Sequence, residues 1–193
     1  EEKFLIKRDK VLSKVIKTNG PIKFSKSKKD PFDTFVDIII SQFISTLAAK
    51  SIKEKMLENF NEKYFKVENF ENLSVVQIKD LGLSLNKAKS IKAVISWLEM
   101  QSMKNFFNLA QAERDKSLIK IFGIGPWSVD MFEMFCIRNK NIFSYGDAAL
   151  RQAMIQLGMV DKDATQTHFE AYAEKWDPYK THACLHLWEM IES

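Results

Sequence analysis

Cysteine is scarce: Cys136 and Cys184 are the only two in 193 residues, and each stands among apolar neighbours. Neither a disulfide framework nor a cysteine-ligated metal cluster has enough ligands, which favours a reducing, intracellular compartment, cytoplasmic in a prokaryote or nuclear in a eukaryote. Long apolar runs are lacking too, so no membrane span is expected. The opening EEKFLIKRDK is too charged for a signal peptide, although a chain without a leading methionine leaves its true start open. Charge of one sign is not in large excess: 29 Lys and Arg against 25 Asp and Glu leave +4, which suits nucleic acid without requiring it. Alternating strand patterns are almost absent.

With six glycines and four prolines, each one acts as punctuation. Asp30-Pro31, Gly125-Pro126 and Asp177-Pro178 read as helix starts, where a fixed φ and a missing N–H are tolerated. After Pro31, apolar residues at Phe32, Phe35, Val36, Ile39, Phe43 and Leu47 recur in three- and four-residue steps, the stripe of a core-facing helix that Gln42 interrupts. Similar stripes run through 11–16, 75–81, 89–100, 127–137, 148–157 and from 165 to the end. The pattern predicts an all-α protein of roughly eight to ten short helices. An internal echo links IKDLGLSLNKAKSIKAVI with LIKIFGIGPWSVDMFEMF, each running helix, glycine turn, helix.

In FGIGPW, Gly123 and Gly125 can take backbone conformations closed to other residues, while Ile124 between them points inward as an anchor. The amide N–H groups around this turn and the helix start at Pro126 lack intrahelical partners. They form either a socket for a phosphate oxygen or the capped end of a plain αα-hairpin. Some twenty residues later, NIFSYGDAALRQAM places Asp147 just before a helix, as an N-cap worth about 1 kcal/mol or as a functional carboxylate.

The hairpin and the aspartate after it, together with FVDIIISQFISTLAAKSI, LGLSLNKAKSIKAVI and WDPYKTHACLHLWEM, resemble the helix-hairpin-helix superfamily of base-excision DNA glycosylases, in its alkylpurine (3-methyladenine DNA glycosylase II) branch. The resemblance covers almost the whole chain. It implies a two-lobed α-helical fold, with residues 1–30 and 145–193 forming one lobe and 31–144 the hairpin lobe; the β-lobe of some longer relatives is not expected. It also implies a monomer that binds duplex DNA containing alkylated bases, flips out 3-methyladenine or 7-methylguanine, and leaves an abasic site. The alternatives are a glycosylase for another damaged base, a non-catalytic damage-binding module, and a helical scaffold in which the hairpin is only a turn.

Residue by residue, Asp147 matches the family's catalytic carboxylate. Trp127, Trp188, Met131 and Ala148 match positions around the base, with methionine and alanine where tyrosine can occur. Trp127 also stands where bifunctional relatives carry a nucleophilic lysine, which implies hydrolysis by water. Gln42 and Phe43 match the wedge region, Phe43 equally readable as core. Gly123, Ile124, Gly125 and Ser128 match the DNA-backbone contacts, and the carbonyls of Ile119, Ile121 and Ile124 match a monovalent-cation site. No cofactor is expected, and the iron–sulfur cluster of some relatives lacks its four cysteines. His182 and His186 share a helix face as zinc ligands would, but no third ligand is evident in the sequence, and packing or surface roles are preferred. Lysines in KFSKSKKD and LNKAKSIK are candidates for phosphate contacts or for a solvated surface.

Overall fold

The computed structural model describes residues 1–24 and 30–192. Every regular element among them is helical. In chain order the α-helices are α1 (Glu2–Arg8), α2 (Lys10–Asn19), α3 (Pro31–Ser41), α4 (Thr46–Phe60), α5 (Val75–Asp80) and α6 (Leu85–Glu99). There follow α7 (Met103–Asn108), α8 (Gln111–Leu118), α9 (Pro126–Phe132), α10 (Ala148–Gln156), α11 (Gln166–Ala173) and α12 (Lys180–Glu192). The all-α expectation holds, with more and shorter helices than the periodicity suggested. The chain divides into two compact units, Glu1–Lys28 with Arg138–Ser193, and Lys29–Ile137. The return to the terminal unit comes at Arg138 rather than near residue 145.

In the terminal unit, α12 packs against α2 and α10, and α1 against α2. Leu5, Leu12, Ile16, Leu150, Met154, Phe169, Trp176, Cys184 and Leu187 are buried there. Asp9 links these helices. Its Oδ1 accepts the N–H groups of Val11 and Leu12 at 2.9 and 3.1 Å, capping α2, while its Oδ2 accepts Trp176 Nε1–H at 2.9 Å. Tyr172 Oη also reaches Asp9 at 3.3 Å, and burial, then the Asp9 charge, pushes its hydroxyl pKa well up.

In the hairpin unit, α3 is the central helix and packs against α4, α6 and α9. Asp30 caps it by accepting Asp33 N–H at 2.9 Å, and Pro31 occupies its first turn. Phe32, Phe35, Val36, Ile38, Ile39 and Ile40 are all buried, so α3 is apolar nearly all round, as a helix enclosed by neighbours must be. Phe35 stacks on Phe132 at 4.3 Å between ring centroids, and Trp97 meets Phe106 edge-on at 5.1 Å.

The proline signals divide. Pro31 and Pro126 open α3 and α9 as expected. Pro178 follows a cis peptide bond, and α12 begins only at Lys180.

Candidate active site

The turn between α8 and α9 depends on one glycine for two reasons. Gly123 has φ +80, in the left-handed region, and a β-carbon there would sit 1.8 Å from Ser90 Oγ on α6. Ile124 is buried, and its N–H bonds to the Ile121 carbonyl at 3.0 Å, closing the turn. Gly125 differs: its φ of −97 suits any residue, and a β-carbon there would meet nothing within 4 Å. Gly125 supplies no side-chain cap to α9, although its carbonyl accepts the first helical bond from Val129 N–H at 3.0 Å. A buried ion pair ties the two helices together. Arg114 Nε and Nη2 donate to Glu133 Oε1 and Oε2 at 2.6 and 2.8 Å, the forked geometry that suits a guanidinium. Beyond Phe132 the helix continues as a single π turn, Glu133–Ile137.

The segment after α3 is anchored to this hairpin. Gln42 Nε2 donates to the Gly123 carbonyl at 2.9 Å and to Ser128 Oγ at 3.0 Å. Lys87 Nζ donates to the Ile40 carbonyl at 2.8 Å, and burial holds its pKa below the ordinary lysine value. The next residue, Phe43, is fully exposed with φ +59, and Leu47 is also exposed. The stripe read from Phe32 to Leu47 is therefore corrected: its core face ends at Ile40, because α3 stops at Ser41. A bulky residue in left-handed backbone with no packing partner points to a role outside folding.

In the terminal unit, Asp147 is the N-cap of α10. Its Oδ1 accepts Leu150 N–H at 2.9 Å and Trp188 Nε1–H, from α12, at 3.1 Å. The preceding loop is held by Arg151, which donates to the Tyr145 carbonyl at 2.5 Å and lies 5.1 Å above the Tyr145 ring. Asp147 N–H closes onto the Ser144 carbonyl at 3.1 Å. Ala148 is exposed, whereas Asp147 and Trp188 are half-buried. A carboxylate fixed by two donors from different helices keeps one orientation without side-chain reorganisation.

The stretch that holds both the hairpin and Asp147 matches a known family. The model of the HhH-GPD superfamily base excision DNA repair proteins matches residues 36–178. The chain belongs to this superfamily. YfjP of Bacillus subtilis, whose name carries DNA-3-methyladenine glycosylase activity provisionally, is 28% identical over 83% of the chain. DNA-3-methyladenine glycosylase 1 of Schizosaccharomyces pombe is 25% identical over 86%. The chain spans 59% of the length of the first and 74% of the second. The structure of the S. pombe 3-methyladenine DNA glycosylase in complex with abasic DNA superposes with a TM-score of 0.88, covering 100% of this chain and 96% of that one at 22% identity.

The remaining sequence candidates in this HhH-GPD chain fall in several places. Trp127 is half-buried and Met131 buried on α9, both in the hairpin unit. Ser128 and Ile124 are both buried, and Ser128 Oγ already accepts from Gln42, so neither presents a side chain outward. The Ile121 carbonyl closes the turn with one of its two lone pairs, while the side chain of Ile119 is exposed. Two of the lysines proposed for phosphate are engaged inside the protein: Lys87 as above, and Lys92 on the Phe70 and Glu71 carbonyls at 3.0 and 2.8 Å. Lys26, Lys28 and Lys29 of KFSKSKKD lie outside the described residues. Two links escaped sequence reasoning, the Trp188–Asp147 bond and the Gln42 anchor, because both join residues far apart in the chain.

Proposed function

We propose that the chain is a monofunctional DNA glycosylase that flips alkylated purines, 3-methyladenine and 7-methylguanine, out of duplex DNA and hydrolyses the glycosidic bond. The observation that carries this reading is Asp147, which caps α10 and accepts Trp188 Nε1–H at 3.1 Å, in a chain of the HhH-GPD superfamily. The names of the relatives support the substrate class.

Cleavage of an N-glycosidic bond leaves an electron-poor, oxocarbenium-like sugar. A carboxylate with a fixed orientation stabilises that charge and orients or deprotonates the attacking water. Trp127 has no nucleophilic amine, so water attacks and the strand stays intact. A purine alkylated at N3 or N7 is cationic and stacks on electron-rich rings, for which Trp127 and Trp188 are the candidates, and Met131 and Ala148 are the further candidate contacts for the base. Phe43 fills the gap left by the flipped nucleotide. The uncapped amides at Gly123, Gly125 and the first turn of α9 take a phosphate oxygen, and the carbonyls of Ile119, Ile121 and Ile124 are the candidate oxygens for a monovalent cation there. The protein acts as a monomer inside the cell.

The test incubates methylated duplex DNA with wild type and with Asp147→Asn, identifies released bases by mass spectrometry and assays strand nicking separately. Asparagine is as good an N-cap as aspartate, so the variant keeps its fold. Wild type should release 3-methyladenine or 7-methylguanine with strands intact until alkali, and Asp147→Asn should lose roughly 10²–10³-fold in rate, the scale of one electrostatic contact to a transition state. Retained DNA binding with no released base from wild type would overturn the substrate assignment.

A further inference from the structure

Glu2 supplies what the sequence could not show beside the two histidines of α12. Its carboxylate and the rings of His182 and His186 place their ligand atoms within 4.8 Å of one another. Glu2 Oε1 lies 3.3 Å from His186 Nε2 and 3.7 Å from His182 Nε2. A tetrahedral zinc ion with bonds near 2.0–2.1 Å sets neighbouring ligand atoms about 3.3 Å apart, so these separations fit the edges of such a site.

The surroundings favour a cation. His182 and His186 are both buried, and His186 Nε2, fully enclosed, makes no well-aligned hydrogen bond although it faces Glu2. Leaving a buried ring nitrogen in that state is costly unless something else occupies its lone pair. His182 Nδ1 stands 3.2 Å from Glu1 Oε2, and Glu1 in turn pairs with Lys140 Nζ at 2.5 Å. A carboxylate on the far nitrogen is the usual way to orient a metal-ligating histidine, because it keeps the hydrogen on Nδ1 and the lone pair on Nε2. Metal on His186 Nε2 likewise leaves the hydrogen on Nδ1. Asn19 Nδ2 donates to the His186 carbonyl at 2.8 Å and lies 3.5 Å from His186 Nδ1, too far to fix which ring nitrogen carries the hydrogen. Glu2 is itself oriented by Ile22 N–H at 2.9 Å.

We propose that Glu2, His182 and His186 form a structural metal site for a divalent ion of the zinc type, clipping α1 to α12 within the terminal unit, with Glu1 as the outer carboxylate. Two neutral imidazoles and one carboxylate suit zinc, and solvent on the half-exposed Glu2 side completes the coordination. The ion takes no part in chemistry at Asp147.

The test uses the tag-free full chain stripped with EDTA. Zinc is titrated against a chromogenic chelator, cobalt is added separately to record its visible spectrum, and thermal melting is followed with and without zinc. Wild type should bind one zinc ion per chain, give the intense visible bands of tetrahedral cobalt, and melt at a higher temperature with zinc than after EDTA. Glu2→Gln, at an exposed enough position to fold, should lose at least about tenfold in affinity together with the melting shift, and Glu1→Gln about tenfold, the scale of an outer-carboxylate loss. A wild type that binds zinc no better than Glu2→Gln, or a melting temperature indifferent to zinc, would overturn the site whether or not the chain excises bases.

Discussion

Two helix–turn–helix segments of the hairpin unit run in parallel along the sequence, and their differences separate what folding requires from what it does not. Between α5 and α6, Gly82 has φ +104, Leu83 is buried, and Ser84 caps α6 by accepting Lys87 N–H at 3.3 Å. Between α8 and α9, Gly123 has φ +80, Ile124 is buried, and Gly125 offers no side-chain cap. The first turn satisfies its own helix start with a side chain. The second has the same shape, more tightly locked by Ser90, Gln42 and the Arg114–Glu133 pair, and leaves the start of its second helix without a side-chain cap. Rigidity around uncapped amides is the combination an anion site needs and a plain turn does not.

Breaking the lock should have the largest effect. Arg114→Met takes the guanidinium away from Glu133, which is 1% exposed, and should cost about 3–5 kcal/mol by urea unfolding, whereas Arg114→Met with Glu133→Leu should recover most of it. Gly123→Ala comes next, at roughly 2–4 kcal/mol from positive φ plus the Ser90 clash, against about 1 kcal/mol for Gly82→Ala, where a β-carbon meets nothing within 4 Å. Ser90→Gly in the Gly123→Ala background should return the steric share. Equal losses at the two glycines would dissolve the distinction between the turns.

Exchanging the caps sharpens the contrast. Ser84→Ala should cost about 1 kcal/mol, while Gly125→Ser should gain a few tenths in stability and weaken duplex binding about tenfold, measured by fluorescence anisotropy. Unchanged binding would remove Gly125 from the contact surface. The smallest effect concerns charge in α8. Burial, then the nearby Glu133 carboxylate, raises the Asp115 pKa above its ordinary value of 3.8. The folded state therefore holds the Asp115 proton more tightly than the unfolded chain. The resulting stabilisation is complete below pH 3.8 and is lost as pH rises through the higher folded value. Asp115→Asn should raise the melting temperature slightly at pH 7, with the gain fading toward pH ~4 in a series of melts.

Helix class, the hairpin and the Asp147 cap were legible because each is written in local spacing: glycine beside proline, and aspartate before an apolar stripe. The end of α3 was misread because Phe43 and Leu47 continue the apolar period past Ser41, and periodicity alone cannot tell a packed aromatic from one held outside. The third ligand beside His182 and His186 was invisible for a different reason. Glu2 is at the other end of the chain, and only the packing of the terminal unit brings its carboxylate to α12. Ser90 against Gly123 belongs to the same class, since a steric reason for glycine lies in a neighbour that spacing does not reveal.

Phe43 can also be viewed as an engineering liability. A fully exposed ring on left-handed backbone lends nothing to the native state, so Phe43→Gly should relieve strain and make the chain hardier. Selection for thermal robustness alone would find this position early. If Phe43 is the wedge proposed above, selection for repair in cells exposed to alkylating agents would put the phenylalanine back, and the two screens run side by side would locate the trade-off between stability and activity in one residue.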